Sequence, residues 1–248
     1  MSERVCLITG ASRGIGAASA RELAARGHAV VVNHRDSATD AEAVAHDVRA
    51  AGGAALVVQG DVTEPGDVTR VIDTVVGHWG RLDVLVHNAM TPFPITPFAD
   101  LSWEQLGTKL DQEMRAAHLL THAVLPEMID RRYGRLVYLS TGLSRRPRDG
   151  MIALGVAKAA LDSFVRYVAA EVAPHGVTAN VVAPSTVDDT AVSGRLSDEL
   201  TAQLAAATPM RRLARPEDVA RTVAYFAGDD AAFTTGSWAP VNGGLIMP

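Results

Sequence analysis

The octapeptide TGASRGIG, Thr9 to Gly16, decides the fold. It follows the apolar run RVCLIT (residues 4–9) and leads into GAASARELAARG (residues 16–27), an amphipathic stretch that closes on glycine. Glycine is needed at Gly10, Gly14 and Gly16 because a Cβ there blocks a tight turn, the approach of a pyrophosphate, or the packing of helix on strand. Backbone N–H groups at a helix start hold phosphate oxygens, aided by the helix dipole. A glycine-rich turn alone is a weak indication, since it can be purely structural. Between an N-terminal strand and an amphipathic helix it predicts a dinucleotide cradle, with Gly10, Ser12, Arg13, Gly14, Ile15 and Gly16 as its residues.

Outward from this turn, short apolar runs alternate with longer amphipathic ones. The candidate strands are RVCLIT, HAVVVN, AALVVQ, DVLVHN, RLVYLS, VTANVVA and a last one near GSWAPV. They are β-branched and apolar on both faces, as strands of a helix-covered parallel sheet must be. Strand–helix alternation gives right-handed crossovers and a doubly wound sheet. The prediction is an α/β protein: one Rossmann-type domain over residues 1–248, without internal repeat or linker. One interval, Pro184 to about Arg215, is long and polar, and is expected to lie over the ligand crevice as a lid.

Bulk properties narrow the function. Hydrophobic residues make up 48% and charged residues 21% of 248, ordinary for a globular protein. A net charge of −5 argues against non-specific nucleic-acid binding. No apolar run approaches the roughly 20 residues needed to cross a bilayer. The N-terminus enters a strand at once, leaving no room for a secretory signal. Cys6 is the lone cysteine, so no intrachain disulfide forms and a cytoplasmic protein is the expectation.

The second strand ends in VNHRDS. An NAD-specific site carries an acid at this tip to accept the ribose 2′-hydroxyl. Here Asn33, His34 and Arg35 stand there, followed by Ser37. Arg35 and Arg13 can clamp a 2′-phosphate through charge-assisted hydrogen bonds, which favours NADP(H). A solvated Arg35 is the alternative, and the adjacent Asp36 keeps it open.

TGASRGIG, GDV (Gly60–Val62), HNAM (His87–Met90), LGVAK (Leu154–Lys158), NVVAPS and RLARPEDVA…VNGG resemble, in order and spacing, the short-chain dehydrogenase/reductase family, in particular its ketoacyl-carrier-protein reductase branch. The resemblance spans essentially the whole chain. It implies hydride transfer between a nicotinamide and a carbonyl or alcohol, with Asp61 and Val62 at the adenine and Asn88 with Ala89 at the cofactor ribose. It also implies Pro184 beside the cofactor, a small-molecule or carrier-linked substrate, and a homodimer or homotetramer.

The family's reaction uses an asparagine, a serine, and a tyrosine and lysine spaced i,i+4 on one helix face, where the lysine charge favours phenolate. Lys158 matches the lysine, but Leu154 occupies the tyrosine position and can neither give nor take a proton. Thr141 stands at the serine position, with Ser140 beside it, and Glu113 at the asparagine. Lys158, Thr141, Glu113 and Ser140 are therefore the candidate catalytic residues. Glu113 is either a base paired with Lys158 or a structural ion pair. Three readings compete: reduction of a carbonyl or enone with a relocated proton donor, a non-redox reaction using Glu113 and Lys158, and an inactive partner subunit.

Three further features carry weaker expectations. Met90 and Ser185 replace glycines near the nicotinamide end, and Thr190 is the candidate carboxamide anchor. Arg145, Arg146 and Arg148 suit an anionic substrate, with a solvated loop as the alternative. His118 and His122 have the i,i+4 spacing of a metal pair but no third ligand, so no metal is expected.

Overall fold

The computed structural model describes residues 4–190 and 193–247; of Arg195 only the backbone is described. Seven strands form one sheet: β1 (Val5–Ile8), β2 (Ala29–His34), β3 (Ala55–Gln59), β4 (Val84–His87), β5 (Gly134–Leu139), β6 (Val177–Pro184) and β7 (Trp238–Val241). Their order is β3-β2-β1-β4-β5-β6-β7, with every pairing parallel. All seven expected strands are present, and the architecture is Rossmann-like.

Alternation along each strand explains why these strands read as unbroken apolar runs. On β1, Val5 and Leu7 face one core, and Cys6 and Ile8 the other. The first core is closed by α3 (Pro65–Trp79), α4 (Trp103–Asp130) and α5 (Ile152–Val172). The second is closed by α1 (Gly14–Ala25), α2 (Ala38–Ala50) and α7 (Pro216–Ala227). With helices on both faces, neither side of a strand can be polar at low cost.

The helices begin where their local chemistry says they should. Ser102 caps α4 by accepting from Gln105 N–H, while the Gln105 side chain accepts from Ser102 N–H, a reciprocal box that satisfies two otherwise unpaired donors. Pro65 and Pro216 open α3 and α7 at the position where a missing N–H costs nothing. A short helix, α6 (Asp198–Ala207), lies within the predicted lid interval, whose flanks meet in a bridge between Val187 and Ala214. No helix among the described residues is long and apolar enough to cross a membrane.

Candidate functional site

The strand order reverses between β1 and β4, and the crevice at such a switch point is where open α/β sheets bind ligands. A cavity of about 590 Å³ opens there. Its floor is the glycine turn, held in place by contacts that the sequence did not reveal. Thr9 Oγ1 accepts from both Asn88 and Ala89 backbone N–H groups at 3.0 Å, and Asn88 Nδ2 donates to Thr9 O and Gly10 O at 2.9 and 3.1 Å. From β2, Asn33 Oδ1 accepts from Gly10 N–H. Asn88, expected at the cofactor ribose, thus also ties the turn to β4.

The turn needs its glycines for stated reasons. Gly10 has φ of +60°, and a Cβ there meets Ala89 Cα at 2.9 Å. At Gly16 a Cβ meets Gly10 O at 2.5 Å and Asn88 Nδ2 at 2.6 Å. Helix α1 starts without a side-chain cap and without an acid in its first turn. Its N-terminus therefore faces the cavity with unshielded N–H dipoles, which suits a phosphate.

Every residue expected at the cofactor lies on the wall: Gly10, Ser12, Arg13, Gly14, Ile15, Gly16, His34, Arg35, Ser37, Asp61, Val62, Asn88, Ala89, Lys158 and Pro184. Arg35 is not idle. Its Nε donates to Asp36 Oδ2 at 2.6 Å, and its guanidinium stands 3.6 Å from Asp61. Both carboxylates hold the guanidinium charged, and its side chain is half exposed. An exposed pair of this kind contributes at most about 1 kcal/mol, so a 2′-phosphate can displace Asp36.

At the far end of the cavity lie Lys158, Ser140, Thr141, Leu154 and Met90. Thr141 Oγ1 accepts from Leu143 N–H at 3.3 Å, leaving its proton free for a substrate oxygen. Ser140 Oγ is buried without a partner. Leu154 is on the wall one turn before Lys158, as the spacing predicted. Among the described residues no tyrosine lines the cavity, and Tyr138, on β5, is fully buried with its hydroxyl spent on Thr121 at 2.7 Å.

Glu113 pairs with Lys158, the contact that both of its sequence readings require, and it does so away from the cavity. It is 1% exposed and stands behind the wall. Its Oε1 accepts from Lys158 Nζ at 2.7 Å and its Oε2 from Lys109 Nζ at 2.7 Å. Lys158 also donates to Leu139 O at 2.6 Å, and Lys109 to Thr91 Oγ1 at 2.9 Å and Thr91 O at 3.2 Å. Burial alone pushes the Glu113 carboxyl up, but the Lys158 and Lys109 ammoniums outweigh it and hold it well below the usual carboxylate range. Burial lowers Lys109 despite Glu113. It also lowers His87, whose Nε2 lies 3.8 Å from Glu113 Oε1, beyond hydrogen-bond reach, with neither ring nitrogen partnered.

Lys109, Thr91 and His87 were missed from the sequence. The usable signal was the i,i+4 spacing of Lys109 and Glu113, which sets both on one face of α4. The remaining expectations divide. Thr190 is on the wall beside Gly14, hydrogen-bonded to Val187 O. Arg146 and Arg148 reach the cavity, but Arg145 stacks on Trp238 at 3.8 Å instead. The His118 and His122 rings stack on each other, 5.7 Å between centroids.

Comparison with known proteins agrees with this geometry. Residues 10–246 match the family described as enoyl-(acyl carrier protein) reductase. A 3-oxoacyl-[acyl-carrier-protein] reductase of Synechocystis is 36% identical over 248 residues, covering 100% of this chain and 98% of that protein. A cis-4-hydroxycyclohexanecarboxylate dehydrogenase of Sinomonas cyclohexanicum is 37% identical over 243 residues, 98% and 96% of the two chains. The solved structure of YwfH, described as an NADPH-dependent reductase involved in bacilysin biosynthesis, superposes with a TM-score of 0.93 at 25% identity over all of both chains.

Proposed function

The chain belongs to the short-chain dehydrogenase/reductase family, and from that premise we propose that it is an NADP(H)-dependent oxidoreductase of an activated carbonyl, with its tyrosine role vacated. The glycine cradle, the uncapped N-terminus of α1 and the displaceable Arg35 would hold the cofactor, which supplies hydride at the Lys158 end. Thr141 and Ser140 would orient the substrate oxygen. The segment around α6, with Leu204 and Ala207 on the cavity wall, would serve as the lid. The outer faces of α4 and α5 would pair with a second copy.

One observation carries the choice of substrate. The two acceptors on the Lys158 ammonium are Glu113 and the Leu139 carbonyl, and the group one turn away is the hydrocarbon of Leu154. Hydride addition to an isolated ketone produces an alkoxide, a strong base that needs a positioned acid. Addition to the far carbon of an enone produces an enolate, whose oxygen is a weaker base than an alkoxide's because an enol is a stronger acid than an alcohol, and which nearby positive charge and a hydroxyl can stabilise. A missing general acid, commonly worth about 10²–10⁴ in rate, therefore penalises ketones more than enones. Small enones or carrier-linked enoyl groups are the substrates favoured. The non-redox reading loses ground, because both Glu113 oxygens are engaged behind the wall and cannot reach a substrate.

Mixing the protein with NADPH and a panel of ketones and enones, and following the nicotinamide absorbance, tests this. NADPH loss with enones ahead of ketones, abolished by Lys158→Ala, is expected. Substrate turnover without NADPH change, or no NADPH loss with any enone, overturns it.

A further inference from the structure

Lys109 and Lys158 are the only lysines in the sequence; the other 21 of its 23 basic residues are arginine. Both lysines are buried, and both donate to the same carboxylate, one to each oxygen of Glu113. They come from different helices, α4 and α5, 49 positions apart in the sequence yet joined through one side chain. Arginine stays protonated in proteins, whereas a buried lysine can release its proton. The chain thus places both of its lysines together, at the reactive end of the cavity.

Two ammoniums and one carboxylate carry a net positive charge in a buried site, an arrangement that loses desolvation cost when one proton leaves. Two further titratable groups stand near it. His87 from β4 is held neutral by burial, and Asp162 from α5 is pushed up by burial, with Ser140, Ser144, Arg145 and Lys158 pulling the other way. The cluster also has two openings. Lys158 is on the cavity wall, and Lys109 donates to Thr91, which is also on that wall.

We propose that Lys109, Glu113 and Lys158 form a proton relay opening on the cavity at Thr91, with Lys109 as its positioning residue. The proposal rests on the oxidoreductase reading and names the group that replaces the phenol. The N–H bond of the Lys158 ammonium breaks as its proton passes to the reduced substrate. Lys158 takes a proton across Glu113, whose other oxygen receives one from Lys109. Lys109 is left as a neutral amine and recovers a proton from water at the Thr91 side. One proton enters and one leaves, and no charge accumulates.

A lysine-selective isotopic label gives two side-chain signals, one per lysine, so the cluster is observable without substrate or cofactor. The relay requires that the Lys109 signal titrate below the ordinary lysine range, near about 10.4, and that Lys158→Met shift that titration. If the Lys109 signal stays flat until the ordinary range, the cluster is a static ion pair and the relay is wrong. Lys109→Arg supplies a second arm, because it keeps the charge and the hydrogen bonds to Glu113 and Thr91 but cannot release a proton. Turnover with an enone is expected to fall by about 10²-fold or more in this variant while its NADPH affinity holds. Full turnover in Lys109→Arg overturns the relay even if the wild-type lysines titrate low. Should the wild type fail to oxidise NADPH with any enone, the oxidoreductase reading falls, and the titration alone then decides the relay.

Discussion

Lys158 Nζ and Glu113 Oε1 are 2.7 Å apart in a buried contact that joins α5 to α4. In the family pattern the lysine would work on a phenol one turn away. Here that position is Leu154, and the ammonium is turned to a carboxylate.

Restoring the phenol should therefore change the substrate range. Leu154→Tyr sets a hydroxyl on the cavity wall one turn before Lys158 and is expected to raise ketone reduction by about 10²–10⁴-fold, with less effect on enones. Tyr138→Phe is the control: its hydroxyl serves Thr121, so stability falls by about 1 kcal/mol and turnover stays. Rates on paired ketone and enone substrates decide. Equal, unchanged rates in Leu154→Tyr would remove position 154 from the chemistry.

Glu113→Gln leaves two buried ammoniums without a counter-charge, at a cost of about 3–5 kcal/mol at neutral pH, read from urea unfolding. The pH dependence has a definite sign. The folded carboxyl lies below its unfolded value of about 4.3, so its contribution is whole above that pH and fades as pH falls. The lysine term runs the other way. With Lys109 lowered in the folded state, the unfolded chain binds more protons on the alkaline side, and stability rises with pH there. The deficit of Glu113→Gln should accordingly shrink both toward acid and toward alkali. A variant within about 1 kcal/mol of wild type at neutral pH contradicts the burial argument.

His87 adds a separate acid sensitivity. Burial holds its folded pKa below the unfolded value of about 6.5, so the unfolded chain takes up a proton below that pH that the buried ring refuses. Stability is expected to decline from about pH 6.5 downward in the wild type and less steeply in His87→Asn. Thermal melts across that window check the difference, and parallel slopes for the two proteins would rule out His87.

Arg35 should set the cofactor preference. Replacing it with serine removes a charge-assisted contact worth about 1.5–3 kcal/mol, a loss of roughly 10–150-fold in NADPH affinity with NADH affinity kept. Fluorescence titration with the two nucleotides measures it. An equal loss for both would mean that Arg35 merely braces the loop through Asp36 and Asp61.

Gly16→Ala tests the cradle. The added Cβ meets backbone at 2.5 Å, where nothing flexible can yield, so stability should fall by about 1–3 kcal/mol and cofactor affinity with it. Normal affinity with an unchanged Tm would mean that the turn can move aside.

Much of this was legible from residue order alone, because the features concerned are local. Side-chain alternation repeats every two residues along a strand, so Val5 to Ile8 announce a sheet covered on both sides. Gly10 is dictated by the positive φ at its own position, and Gly16 by the Gly10 carbonyl six residues before it. Leu154 and Lys158 keep their i,i+4 relation wherever the helix packs.

What the order of residues could not decide is whether Glu113 faces the cavity and what it meets besides Lys158. Its pairing with Lys158 was foreseen, but the packing of α4 beside α5 also buries it, so that Lys109 closes on it from its own helix and His87 approaches from β4. Pairing one carboxylate with two ammoniums depends on how distant segments stack, a matter of tertiary packing rather than of periodicity. Once those charges are out of water, their separation of a few ångströms governs which protons the cluster can hold.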